Sequence, residues 1–238
     1  MLNAKLVATR PGGCTLRHVS RRFFAALLML GAASCTTPST RDQPTPSITA
    51  EPRTKADIWR EIATDADEGR LEKLGLAWQE ALREAQPAFR REIEAEGALL
   101  RPRAALARPA PTPGSYYCRL IKLGKATAKA AAFEKFKPFF CYVEVEDDLL
   151  TIVKQTGSQR PAGRLWEDDR PDRLVFLGSL ALADEQQPKA YAEDPERDMA
   201  GVLERVEPFR WRLVIPWPQS TSKLDVFELT PVEKQPGA

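Results

Sequence analysis

Apolar residues recur at two different periods along this chain. Between Lys55 and Ala98 they fall at helical spacing. Ile58, Trp59 and Ile62 mark one short helix, and Leu71, Leu74, Trp78, Ala81, Leu82, Ala85 and Phe89 form one apolar face of a second helical stretch. Asp65-Ala66-Asp67-Glu68-Gly69 separates the two, and either aspartate suits the N-cap of the second. Pro87 lacks the N–H that a helix interior needs. A boundary or kink falls there, or a third short helix opens at Pro87 and closes at Gly97. A stripe of Leu and Trp at this spacing reads as a packing surface rather than a cofactor box.

From Ser115 the period drops to two, or to short continuous apolar runs. The predicted strands are 115–123, Phe139–Glu146, 149–154, 173–182, 201–206, 211–215 and 224–229, with a short eighth at 164–166. The Ala- and Lys-rich stretch 125–137 is expected as a helical insert. These elements give an α+β fold class: an N-terminal helical segment, 55–100, packed on an antiparallel β-barrel or β-sandwich of seven to eight strands, 115–232. A linker at 101–114, with Pro102, Pro109, Pro111, Pro113 and Gly114, joins them. Phe139, Cys141, Val143 and Val145 share one face of their strand, and Cys118 shares a face with Tyr116 and Leu120, so both cysteines point inward. Phe176, Trp211, Leu213, Ile215 and Trp217 are assigned to the inside too. So many large side chains predict a filled interior.

Ahead of both regions lies an address. Arg21 and Arg22 precede an apolar run, 23–33, that ends at Ser34-Cys35. A basic patch, a short apolar core and small residues make a secretory signal, and the run is too short to span a bilayer. Ala32-Ala33-Ser34-Cys35 resembles the lipobox of bacterial lipoproteins, although Ala32 stands where Leu is commonest. The resemblance implies cleavage after residue 34 and a diacylglycerol on Cys35. Thr36, where Asp would mark retention, implies the outer membrane. The alternative is an ordinary signal with an incidental cysteine and a soluble periplasmic product. Val19 is a candidate start, since Val19-Ser20-Arg21-Arg22 would open a signal of conventional length. Residues 35–54, rich in Thr, Ser and Pro, read as a tether. No apolar run reaches the length of a membrane-spanning helix.

Removing residues 1–34 changes the composition. Of the 35 basic residues, five (Lys5, Arg10, Arg17, Arg21 and Arg22) lie there with no acid beside them, leaving 30 against 33 acidic and a net charge of −3. A weakly acidic body has no electrostatic footprint for nucleic acid. The single histidine, His18, goes with the signal. That excludes Ser-His-Asp and Cys-His catalysis and His-ligated zinc in the mature protein. Cys118 and Cys141 remain after the loss of Cys14 and the lipidation of Cys35. In an oxidising compartment they are expected to form a disulfide contributing about 3 kcal/mol, the alternative being two buried thiols.

The densest polar stretch is Thr156-Gly157-Ser158-Gln159-Arg160, continuing to Arg164 and Trp166. It is the candidate partner-binding loop. Gly157 permits a sharp turn, the arginines suit a carboxylate or other anion, and Trp166 suits an anchor; the plainer reading is a solvated loop on a barrel rim. Asp65-x-Asp67 fails as a calcium loop, because Arg70 and Leu76 stand where glycine and an acid are required. Asp147/Asp148, Glu167/Asp168/Asp169 and Glu193/Asp194 supply carboxylates for glycan cleavage, but adjacent acids on turns are ordinarily solvated. No cysteine spacing suits a metal, no phosphate-binding loop is present, and no metal or cofactor is expected.

Several segments together resemble the domain of unknown function 4893 family. They are Pro113-Gly114-Ser115-Tyr116-Tyr117-Cys118-Arg119-x-Ile121-Lys122-Leu123-Gly124, Phe140-Cys141, Lys154-Gln155-Thr156-Gly157-Ser158-Gln159-Arg160 and Val175-Phe176-Leu177-Gly178. Arg212-Leu213-Val214-x-Pro216-Trp217-Pro218, Leu224-Asp225-Val226-x-Glu228-Leu229 and the helical Leu71-x-x-Leu74-x-x-x-Trp78 extend the resemblance over about 55–232. It implies an exported bacterial protein and carries no activity with it.

The expected function is that of a non-enzymatic, lipid-anchored outer-membrane protein facing the periplasm or the surface. It would hold the membrane through its N-terminal lipid and an envelope protein partner through its β-domain loops. The alternatives are a carboxylate-based envelope enzyme acting on a glycan and a carrier of a small apolar ligand.

Overall fold

A computed structural model describes residues 52–183, 185–219 and 222–233. The expected signal, the expected lipidation site Cys35 and the expected tether as far as residue 51 lie outside the described residues.

The helical layer comes first in the chain: α1 Lys55–Arg60, α2 Asp65–Glu72, α3 Leu74–Ala95 and a 3-10 turn, Gly97–Leu100. Thr54 caps α1 in a capping box with Asp57. Thr64, not Asp65 or Asp67, caps α2: its hydroxyl accepts from the Asp67 N–H. The helix α3 runs on through Pro87 and kinks, with Phe89 out of helical geometry. The kink sets the Phe89 ring against that of Phe133, 5.4 Å between centroids. Gly97, at φ +60, ends the helix as a left-handed C′ residue.

The strands are β1 Gly114–Leu123, β2 Phe133–Lys135, β3 Phe139–Glu146, β4 Leu149–Val153, β5 Gln159–Glu167, β6 Leu174–Leu182, β7 Asp198–Glu207, β8 Arg210–Pro216 and β9 Leu224–Pro231. Every pairing is antiparallel. From β3 to β9 each strand neighbours the next, and β9 returns to pair with β1 from Tyr116 to Leu123. The result is a closed, eight-stranded up-and-down barrel, which leaves no sheet edge open around the ring. The ninth strand, β2, shares an edge of β1 with β3: β3 takes Gly114–Cys118 and β2 takes Ile121–Leu123. The expected helical insert at 125–137 is absent. Pairing of Phe133 with Leu123 and burial of Ala132 and Phe133 beside α3 override the local preference of an Ala-rich stretch.

Two cores result from the alternation. Inside the barrel pack Tyr116, Cys118, Cys141, Val143, Ile152, Leu165, Phe176, Leu203, Trp211, Leu213, Ile215 and Leu229, among others. Gly163 and Gly178 face each other there, and a Cβ on either would meet the Phe176 ring. Outside, Ile121, Leu123, Val175, Leu177, Val202, Val214, Leu224 and Val226 pack under Trp59, Leu71, Trp78, Ala81 and Leu99 of the helical layer. Trp217 belongs to this outer core and not to the interior, because the chain turns left-handed at that residue as it leaves β8.

Arg212 fastens the two layers. It is fully buried, paired with Glu204 at 2.7 Å, and donates to the carbonyls of Leu99, Arg101 and Pro102 at the end of the helical layer. An alternating chain of charges runs along the β1–β9 seam. Arg119 reaches Glu96 and Glu228, both at 2.6 Å, Lys135 reaches Glu96, and Arg210 reaches Glu228.

Candidate functional site

The interior is filled over only part of its length. Large side chains close the end where β1 begins, and the Tyr116 hydroxyl there donates to the Thr112 carbonyl of the linker. The other end opens into a cavity of about 510 Å³, within the range of small-molecule sites. Its walls are inward-facing residues of the strands: Leu120, Phe139, Pro161, Leu180, Met199 and Phe227. Below it Cys118 and Cys141, with Cα atoms 5.9 Å apart, form a disulfide between β1 and β3. The filled-interior expectation therefore holds for the lower barrel and fails at the mouth. There Gly163 and Gly178 on the inward row leave room for the Phe176 ring, and the wall residues beyond it stand around an open space.

Three charged groups occupy inward positions at the mouth. Lys122 and Asp225 face each other across the β1–β9 ladder, 3.3 Å apart. Asp225 also accepts from the Ser222 hydroxyl, and burial pushes its carboxyl above the ordinary range. Lys154 continues the inward row of Leu150 and Ile152 on β4. Its ammonium donates to the Gln159 carbonyl at 2.8 Å and stands 4.4 Å from the centroid of the Phe139 ring. Burial, and then Arg160 beside it, hold this amine below its ordinary pKa.

The loop singled out in the sequence is divided between two surfaces. Thr156, Gly157 and Gln159 line the mouth, next to Ser158. Arg160 is turned under the loop, donating to the carbonyls of Gly157, Ala183 and Glu185. Arg164 and Trp166 lie on the outward face of β5. They are neither a loop nor a three-residue strand, since β5 runs over nine residues. Arg164 pairs there with Glu146 and Asp147, and Trp166 packs half-buried on the outer core. Both line a cleft of about 810 Å³ between the barrel wall, Ile62 and Tyr191.

The acidic clusters serve the scaffold. Asp168 accepts from the Trp59 indole at 3.2 Å and from Arg173 at 2.5 Å. Asp169 accepts from the Ala56 N–H, and Glu167 pairs with Lys55. Glu193 and Asp194 stabilise turns, and Asp147 and Asp148 form the exposed β3–β4 turn. A separate polar group joins α2 to the 185–197 connection: Asp67 accepts from the Tyr191 hydroxyl at 2.6 Å, and the Asp198 carboxylate accepts from the Ala192 N–H. Among the described residues no group of acids, cysteines and histidines is arranged to hold a metal.

Lys122, Lys154 and Asp225 do not stand out in the sequence, although it contains their signal. Each continues the inward parity of a strand whose other inward residues are apolar, and all three fall at the same barrel end.

Fold and mouth together define the class: an α+β protein built on a closed up-and-down barrel, plugged at one end, open at the other and backed by helices. The chain belongs to the family described as Domain of unknown function (DUF4893), whose model matches residues 59–229. No curated protein and no solved structure matches it.

Proposed function

We propose that this chain is a non-enzymatic binding protein of the cell envelope, anchored by a lipid on Cys35, that takes up a small and largely apolar ligand in the mouth of its barrel. The observation that carries the reading is the cavity itself: six apolar side chains from six strands wall an open space above a packed floor. The envelope location rests on the signal pattern ending at Cys35 and on the Cys118–Cys141 bond, which suits an oxidising compartment. The scaffold duties of the acidic clusters favour binding over glycan cleavage. The groups of Arg160 and Arg164 are engaged within the molecule, which favours the mouth over the loop as the contact region.

Titration of the chain with an apolar fluorescent probe tests the proposal. Saturable binding is expected, and Met199→Trp or Leu180→Trp should abolish it while circular dichroism and the melting temperature stay unchanged. Absence of saturable binding by the unmodified chain would overturn it. So would full binding by both tryptophan variants, with the protein-partner reading taking its place.

A further inference from the structure

We infer that the ligand of the mouth is an anionic amphiphile, an apolar chain ending in one carboxylate-like group that pairs with Lys154. This rests on the mouth being a binding site. Charge matching singles out the lysine. Of the cations lining the mouth, Lys122 is matched by Asp225, and Arg197 by Glu185 at 2.6 Å and Asp194 at 3.9 Å. Lys137 is exposed to solvent. Lys154 is half-buried and has no carboxylate partner among the described residues.

An ammonium carries three donors, and a single carbonyl and one ring face leave Lys154 under-used. Arg160, close enough to disfavour its charge, likewise meets only carbonyls. Two neighbouring cations without a counter-charge beside an apolar cavity make a region of positive potential, and a desolvated anion there gains more than it would in water. The acids of the rim do not neutralise it. Asp225 is taken by Lys122 and Ser222, Asp198 reaches the cavity edge from the outward row and accepts from the Ala192 N–H, and Glu196 is exposed. The walls ask for the other half of the ligand. Phe139, which stacks under the ammonium, is itself an apolar wall, so a headgroup on Lys154 leads directly into the cavity.

The test compares three probes of one chain length, dodecanoate, dodecanol and dodecylammonium, by titration calorimetry on the full folded chain. The native protein should bind dodecanoate about tenfold or more tightly than dodecanol, with dodecylammonium weakest. Lys154→Met should erase the preference for the acid without loss of dodecanol binding, and Lys154→Arg should keep it. Equal affinity for acid and alcohol in the native chain would overturn the anionic assignment and leave the mouth as an apolar site. A preference that survives Lys154→Met would also overturn it. Failure of all three probes would remove the mouth reading itself.

Discussion

The guanidinium of Arg212 lies 4.9 Å over the centre of the Trp78 ring. One residue comes from β8 and the other from α3, so this stacked pair spans the boundary between barrel and helices. Glu204 and carbonyls of the 3-10 turn and linker supply the rest of the Arg212 shell. Cutting Arg212 back to alanine strands a buried Glu204 carboxylate and three carbonyls. Arg212→Ala should lower stability by about 3–5 kcal/mol, measured by urea unfolding. Replacing Arg212 and Glu204 together by Met and Leu should cost clearly less than the single change.

The charge chain along the β1–β9 seam predicts acid sensitivity. Burial raises the Glu96 pKa, but Arg119 and then Lys135 outweigh it and hold the carboxyl below its ordinary value of 4.5. A carboxylate with a depressed folded pKa contributes stability above its unfolded pKa and loses that contribution as pH falls through the folded one. The stability difference between the native chain and Glu96→Gln should therefore be largest near neutral pH. It should shrink below about pH 4.5. Unfolding curves recorded down to about pH 3 check this.

The disulfide joins residues 23 apart in sequence. Cys118→Ala with Cys141→Ala should cost about 3 kcal/mol through the freed unfolded chain. Thermal unfolding with and without reductant measures it, and the native protein should show no free thiol from this pair under denaturing, non-reducing conditions.

Gly124 is constrained twice. Its φ is +70, and a Cβ there would stand 2.9 Å from the Ala81 backbone of α3. Gly124→Ala should destabilise by about 1–3 kcal/mol. Gly69→Ala, with open space around it, should be neutral or slightly stabilising in the same melting assay.

Regular alternation makes most of the barrel legible in the sequence. Phe139–Glu146 stands as expected, because its inward residues are apolar over most of its length. β5 reads as only three residues because Pro161 and Gly163 interrupt the pattern. Pro161 is tolerated where β4 has ended, its carbonyl accepting only from the Lys154 N–H, and Gly163 makes room for Phe176. The helical stripe is legible, but Thr64 does not stand out from the aspartates beside it, since Ser, Thr and Asp are all good caps and only geometry chooses among them. Arg212 reads as an ordinary charged residue in a strand. That it lies under a helix depends on which barrel face the helices cover, which alternation does not reveal. The mouth charges are hidden for a related reason: a lysine at the end of an apolar strand looks like the strand's termination.

The two ends of the barrel differ in the length of their connections. At the closed end the turns 147–148 and 208–209 have two residues each and 168–173 has six, whereas 124–138, 154–158 and the β6–β7 and β8–β9 connections return at the mouth. This arrangement divides the chain between inheritance and variation. The packed floor, the disulfide and the Arg212 clamp tolerate little drift, while insertions and substitutions in the long connections reshape the rim without disturbing the scaffold. Relatives of this protein should differ most in those connections, with the barrel passed on intact.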